Sequence, residues 1–297
     1  MSSQPSHSPT WRADALKQVA HVRAGLRAVI QQAVREQRIT PAAITAYAAL
    51  LLTTDNSQPI VPAPHHRLWI ELLCTPEIDQ LLIIAPPESA KTTWIISAFI
   101  GLHVGIWPER SVIIGSATGP IAEKRSLSLR GSVDSPAWRE TFPRAQRAGG
   151  MPWKTNEWSL APGGVPHPGR LHPTVAAYGT GGSVLGSRAD LVVADDLLDF
   201  QNAATAYQRD MVENWFDRSL LSRRKSQTGR VVVVGTCWHH DDLYARLLKK
   251  GGWVGVRLGL MSETGDQNVY ATLSYPDGWT GPVLGERIGE PVLAGVG

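Results

Sequence analysis

Cysteine is nearly absent: the 297 residues hold only Cys74 and Cys237. Two thiols so far apart in sequence give neither metal-type spacing nor a disulfide framework, and a reducing, cytosolic setting is expected. Long apolar runs are also lacking. The longest, Trp94 to Trp107, is interrupted by His103 and falls short of the ~20 residues that span a bilayer, so a buried helix is expected there and no membrane association. The Ser- and Pro-rich first ten residues have neither the charged start nor the apolar stretch of a signal peptide and read as a disordered end. Internal repeats are absent.

What is present is enough apolar material, 43%, for a sizeable core. The formal charge is only +3, yet basic residues cluster. Lys124 to Arg147 carries six Lys/Arg against Asp134 and Glu140, and Arg218 to Arg230 carries five with no acid. Such patches suit a polyanion partner, and equally suit solvated helix faces.

The periodicity falls into three parts. Leu16, Val19, Leu26, Ile30 and Val34 recur at helical spacing among arginines, which predicts a basic amphipathic helix over 11–38. Thr40-Pro41 caps a second helix to about Leu52. Residues 1–60 are therefore expected to be a disordered terminus and helical appendage. From 61 to 260 short apolar runs alternate with helical stretches: strands at 81–85, 111–116, 174–178, 191–194, 231–235 and 254–258, and helices at 66–73, 91–104, 120–130, 204–220 and 242–250. That alternation predicts an α/β fold with a mostly parallel sheet flanked by helices, whose ligands sit at the carboxyl ends of the strands. The Gly/Pro-rich stretch 149–173 is expected to be a loop or small insertion, and 261–297 a tail or linker.

Three strand ends carry chemistry. After the run Leu81 to Ile84 comes Ala85-Pro86-Pro87-Glu88-Ser89-Ala90-Lys91-Thr92-Thr93. A phosphate-binding loop uses consecutive backbone N–H groups and a helix N-terminus around phosphate oxygens, a lysine on the β/γ-phosphates and a hydroxyl on Mg²⁺. Pro86 to Thr93 fit as nucleotide-binding residues, with Lys91 on the phosphates and Thr92 on the metal. Ala85 and Ala90 stand where glycines are usual, and alanine is tolerable there only if φ stays negative. Taken alone, the loop is equally an ordinary strand-turn-helix connection. Leu191-Val192-Val193-Ala194-Asp195-Asp196 ends a buried strand in two carboxylates: Asp195 for Mg²⁺ through its water shell, Asp196 to polarise an attacking water. Arg230 to Trp238 is a third buried strand, ending in Thr236, a hydroxyl placed to sense the γ-phosphate. His239-His240-Asp241-Asp242 resembles a metal cluster, but adjacent residues do not readily converge on one ion. Asp241 or Asp242 is better read as a helix cap.

In order and content these motifs resemble the ATPase domain of phage terminase large subunits, the DNA-packaging motors of tailed phages. The resemblance runs over about residues 60 to 250. It rests on Pro64-His65-His66-Arg67, the loop through Lys91-Thr92-Thr93 as a variant Walker A, and Gly181 to Asp190 leading into Asp195-Asp196 as Walker B. Its most specific part is Thr236 to Leu243 with Arg246-Leu247-Leu248 as the coupling motif. It implies a P-loop NTPase of the additional-strand glutamate-base class, with ATP as substrate and Mg²⁺ as cofactor. The implied partners are double-stranded DNA, a portal or procapsid, a small terminase subunit and further copies in a homo-oligomeric ring, in the cytoplasm of an infected or lysogenic bacterial host. An arginine supplied by a neighbouring subunit often completes such a site; Arg130 and Arg125 are the candidates, with Arg188 the alternative. The chain departs from the family at Pro87-Glu88 and Cys237, where arginine is common. No acidic cluster near the end suits the family's nuclease, so no nuclease activity is expected of this chain alone: either it is the ATPase half of a split or truncated terminase, or the nuclease sits on another chain. The competing readings are a nucleotide-independent DNA-binding or assembly subunit and a helicase-like ATPase.

Overall fold

Two helices lead the chain, α1 (Thr10–Glu36) and α2 (Pro41–Leu51). Thr40 caps α2 by accepting from the Ala43 amide, and proline at the first turn gives up a hydrogen bond that position would not make. The computed structural model describes residues 10–284 apart from 55, 57, 185, 187, 227 and 260–269. The disordered end expected before α1 therefore lies largely outside the described residues, as do Leu185 and Ser187 of the glycine-rich run. The leading helices are more than an appendage. Ile30, Ile44 and Tyr47 are fully buried in the main core, and Tyr47 meets Trp138 edge-on. A side chain at Gly101 would put its Cβ 2.2 Å from the Tyr47 hydroxyl, so glycine is what lets this helix pair seat.

The body then runs α3 (Pro64–Cys74), β1 (Gln80–Ile84), a π-helical stretch Thr93–Ile100 continuing as α4 (Gly101–Ile106), β2 (Val112–Ser116), α5 (Gly119–Val133) and α6 (Pro136–Thr141). It continues through β3 (Ala145–Arg147), β4 (Glu157–Trp158), β5 (Leu160–Pro162), β6 (Val175–Gly179), β7 (Leu191–Asp195), α7 (Ala206–Trp215), β8 (Arg230–Gly235), α8 (Leu243–Lys250), β9 (Val254–Gly259) and β10 (Tyr270–Ser274). The strands expected from the alternation are all there. The helix expected over 91–104 is wound mainly as π-helix, and that expected over 204–220 ends in a π turn at Phe216–Leu220. The Gly/Pro-rich stretch contributes the short strands β4 and β5. Residues 270–274, counted as tail in the sequence, add an antiparallel edge strand on β9.

Eight strands form one sheet in the order β10-β9-β1-β8-β7-β2-β6-β4. Among the described residues its six inner strands run parallel, and β10 and β4 pair antiparallel at the two edges. Alternate residues of a strand face opposite sides, and here both sides are covered. Leu81, Ile83, Leu191, Val193, Val232 and Val234 face the core that includes α1 and α2. Leu82, Ile84, Val192, Ala194, Val231 and Val233 face Phe216, Leu220, Tyr244 and Leu247. Two covered faces are why these strands read as unbroken apolar runs. At about 1.5–3 kcal/mol per buried aliphatic side chain, the valines of β8 hold a register in which Gly235 pairs with Ile84 and Val234 with Asp195. Strand β8 lies between the loop-bearing β1 and the acid-bearing β7. Among the described residues no helix is long and apolar enough to cross a membrane.

Candidate active site

The carboxyl ends of β1, β7 and β8 are laced together. The Ala85 amide donates to the Gly235 carbonyl (3.0 Å), the Asp196 amide to the Val234 carbonyl (2.9 Å), and the Ala117 amide to the Asp196 carbonyl (3.0 Å). Around these ends lies a cavity of about 410 Å³, lined by Pro87 through Thr93 with Asp196, Leu198, Thr236 and Trp238. Every residue expected to bind nucleotide except Pro86 borders it. Pro86 contributes instead through its carbonyl, which accepts from Lys91 Nζ at 2.8 Å.

Lys91 is buried and folded into its own loop. Its Nζ also donates to the Ala85 carbonyl (3.2 Å) and to Thr236 Oγ1 (3.0 Å). Burial lowers its pKa, opposed by the attraction of Asp196 and Asp195. Thr92 Oγ1 donates to Asp195 Oδ2 at 3.1 Å, and Arg125 Nε donates to the same oxygen at 2.8 Å. Asp195 is fully buried. Burial pushes its pKa up to about 6, with Arg125 pulling it down. Asp196 is raised by burial too, opposed chiefly by Lys91, and its Oδ1 is buried with no hydrogen-bond partner.

The donor set fits a hard divalent cation. One hydroxyl and two adjacent carboxylates supply only oxygen, the ligand Mg²⁺ takes, and Asp196, which lines the cavity, keeps one buried carboxylate oxygen without a hydrogen-bond partner. Among the described residues no group of three or more His, Cys, Asp or Glu could hold a metal, so a cation here would rest on this hydroxyl and these two carboxylates together with ligands from outside the chain. The His239 to Asp242 run is a cap. Asp242 is fully buried; its Oδ1 accepts from the Ala245 amide (3.1 Å) and its Oδ2 from those of Trp238 (3.0 Å) and His239 (3.3 Å).

Three local features differ from the sequence expectation. Ala90 takes φ +55° and Glu88 φ +63°, so the loop keeps the left-handed geometry for which glycine is usual, although alanine was expected only with negative φ. Arg125 is bound to Asp195 within its own chain. Arg130 reaches no part of the cavity: its Nη1 donates to the carbonyls of Trp153 (3.3 Å) and Lys154 (2.7 Å). Sequence reasoning gave no role to His66. Its Nδ1 accepts from the Ala63 amide (3.0 Å), leaving Nε2–H to donate to the Ser89 carbonyl at 3.0 Å. Burial lowers its pKa to about 4, so this brace on the loop is a neutral imidazole. The signal available in sequence was only its place in Pro64-His65-His66-Arg67.

The chain is 24% identical over 193 residues to the large subunit of the terminase of Enterobacteria phage T3. It is similar to a phage terminase large subunit. The matched region is 61% of this chain and 31% of the T3 protein, so the chain spans about a third of that relative's length. No protein-family model matches it. Among solved structures it is similar to the HK97 bacteriophage large terminase, at 15% identity and TM-score 0.49 over 69% of this chain and 40% of that one. It is also similar to the ATPase domain of the Thermus phage P74-26 large terminase, solved as the mutant R139A. There the identity is 13% and the TM-score 0.41, over 57% of this chain and 64% of the other.

Proposed function

We propose that this terminase relative is the ATPase of a DNA-packaging motor, hydrolysing Mg-ATP to drive double-stranded DNA into a procapsid. The observation that carries the reading is the convergence of Lys91, Thr92, Asp196 and Thr236, from three strand ends far apart in sequence, on one cavity, with Asp195 buried behind it and bound by Thr92. Lys91 neutralises the β/γ-phosphates once its Nζ leaves the Ala85 and Pro86 carbonyls. Thr92 and Asp195 would hold Mg²⁺, Asp195 through the ion's water shell, and the bound ion would supply charge neutralisation at the phosphate oxygens. Asp196, with a free carboxylate oxygen, orients the attacking water and takes its proton; a raised pKa brings it nearer the operating pH of a base. Thr236 touches Lys91 directly, so loss of the γ-phosphate is felt on β8 and in the coupling segment behind it.

DNA, portal, small subunit and ring neighbours follow from the terminase relationship as proposed partners in a bacterial host cytoplasm. The basic stretches at 124–147 and 218–230 supply a DNA-facing charge. Arg125 is already at the carboxylate of its own chain; a contribution from Arg130 is a role across a ring interface.

Replacing Lys91 with alanine in the purified protein tests the assignment. ATP turnover is expected to fall by at least a hundredfold, while circular dichroism stays unchanged. Equal turnover in both proteins overturns it. The acidic Glu88 on the cavity wall favours a second reading, a DNA-binding subunit without nucleotide chemistry. Salt-sensitive duplex binding without ATP affinity would select that one.

A further inference from the structure

Asp196 sits at φ +48°. A non-glycine residue persists in the left-handed region only where its surroundings over-determine it. Two of the restraints are the sheet-edge hydrogen bonds of its own amide and carbonyl. The third comes from a side chain: Tyr244 Oη accepts from the amide of Leu197, the next residue, at 3.1 Å. Tyr244 and Leu197 are both fully buried, so no water stands in for either partner. Tyr244 lies in the first turn of α8, whose cap Asp242 holds the Trp238 and His239 amides just beyond Thr236. One short helix therefore grips the Thr236 loop through Asp242 and the Asp196 turn through Tyr244. Gly235 is shaped to this contact, because a Cβ there would fall 2.1 Å from Tyr244 Oη.

We propose that Tyr244 is a positioning residue for Asp196. Its hydroxyl holds the Leu197 amide, fixes the left-handed turn that aims the Asp196 carboxylate, and ties that aim to the Thr236 loop. The role rests on the reading of this site as an ATPase.

Tyr244→Phe keeps the ring and removes only the hydroxyl. In the full chain, kcat for ATP is expected to fall at least tenfold while the Kd for Mg²⁺ with the non-hydrolysable AMP-PNP stays within twofold. Amide exchange at Leu197 should quicken at least tenfold, with β1 and β8 protected as in the parent. A kcat within twofold of the parent overturns the proposal. So does a parallel loss of kcat, nucleotide affinity and protection throughout the sheet, which marks a merely structural residue. Lys91→Ala is run beside it. If parental turnover does not depend on Lys91, the ATPase reading is what has failed, and exchange at Leu197 still decides whether Tyr244 holds the turn.

Discussion

Replacing Ala90 with glycine should stabilise this protein, although the same change at Ala85 should destabilise it. Ala90 occupies φ +55°, where an L-residue carries a Cβ–carbonyl clash of about 1–2 kcal/mol. Glycine removes the clash but adds roughly 0.4–1 kcal/mol of unfolded-state entropy, leaving a net gain of about 0.5–1 kcal/mol. Ala85 has no positive φ and is buried at the end of β1. Glycine there loses a buried methyl, about 0.8 kcal/mol, and the same entropy, so a loss of about 1–2 kcal/mol is expected. Urea unfolding of the two variants and the parent, at pH 7 without nucleotide, reads both signs in one experiment. The thermal midpoint should rise by about 1–4 °C for Ala90→Gly, given roughly 2–4 °C per kcal/mol at this size. Because the loop already holds the glycine-type conformation, affinity for Mg-nucleotide should change less than about threefold. A destabilised Ala90→Gly, or two variants shifted alike, refutes the argument that this loop keeps a strained left-handed turn.

Titration of Asp195 gives a second prediction. Its folded pKa, about 6, lies above the unfolded value of about 3.9. Its contribution to stability is therefore full below about pH 4 and lost as pH rises through 6. The difference in melting temperature between Asp195→Asn and the parent should become more positive from pH 5 to pH 7.5; a flat difference counts against a raised pKa. Binding of Mg-nucleotide needs the carboxylate, so ATP turnover should fall as pH drops below about 6, a limb that should be missing from the residual activity of Asp195→Asn. Glu88 lines the cavity, and an anion beside a triphosphate costs about 1 kcal/mol even in water at 4 Å. Glu88→Gln should accordingly tighten the AMP-PNP Kd by about fivefold in a titration at low salt; unchanged affinity would show that this carboxylate faces away from the phosphates.

Much of this was legible in the sequence because it depends on local pattern. Unbroken apolar runs at 81–84, 191–194 and 231–234 are what strands covered on both faces require. Their polar followers, Lys91-Thr92, Asp195-Asp196 and Thr236, are stranded at strand ends whatever the wider topology. Asp242 as a helix cap follows from an acid just ahead of Leu243 and Leu247. The strand at 270–274 was not legible, since it exists only by pairing with β9.

What the sequence could not determine depends on distance through space. Nothing at position 125 marks it as the partner of Asp195, and nothing at 66 marks it as a brace on Ser89; α5 and α3 deliver those side chains only after the sheet has formed. The φ of Ala90 is likewise a tertiary result, because an alanine has no reason of its own to turn left-handed. Chain-local chemistry thus named the phosphate, metal and water-activating candidates. Only the folding of the sheet, which placed β8 between β1 and β7, put Lys91 on Thr236 and Tyr244 on the Leu197 amide, and so made separate motifs into one site.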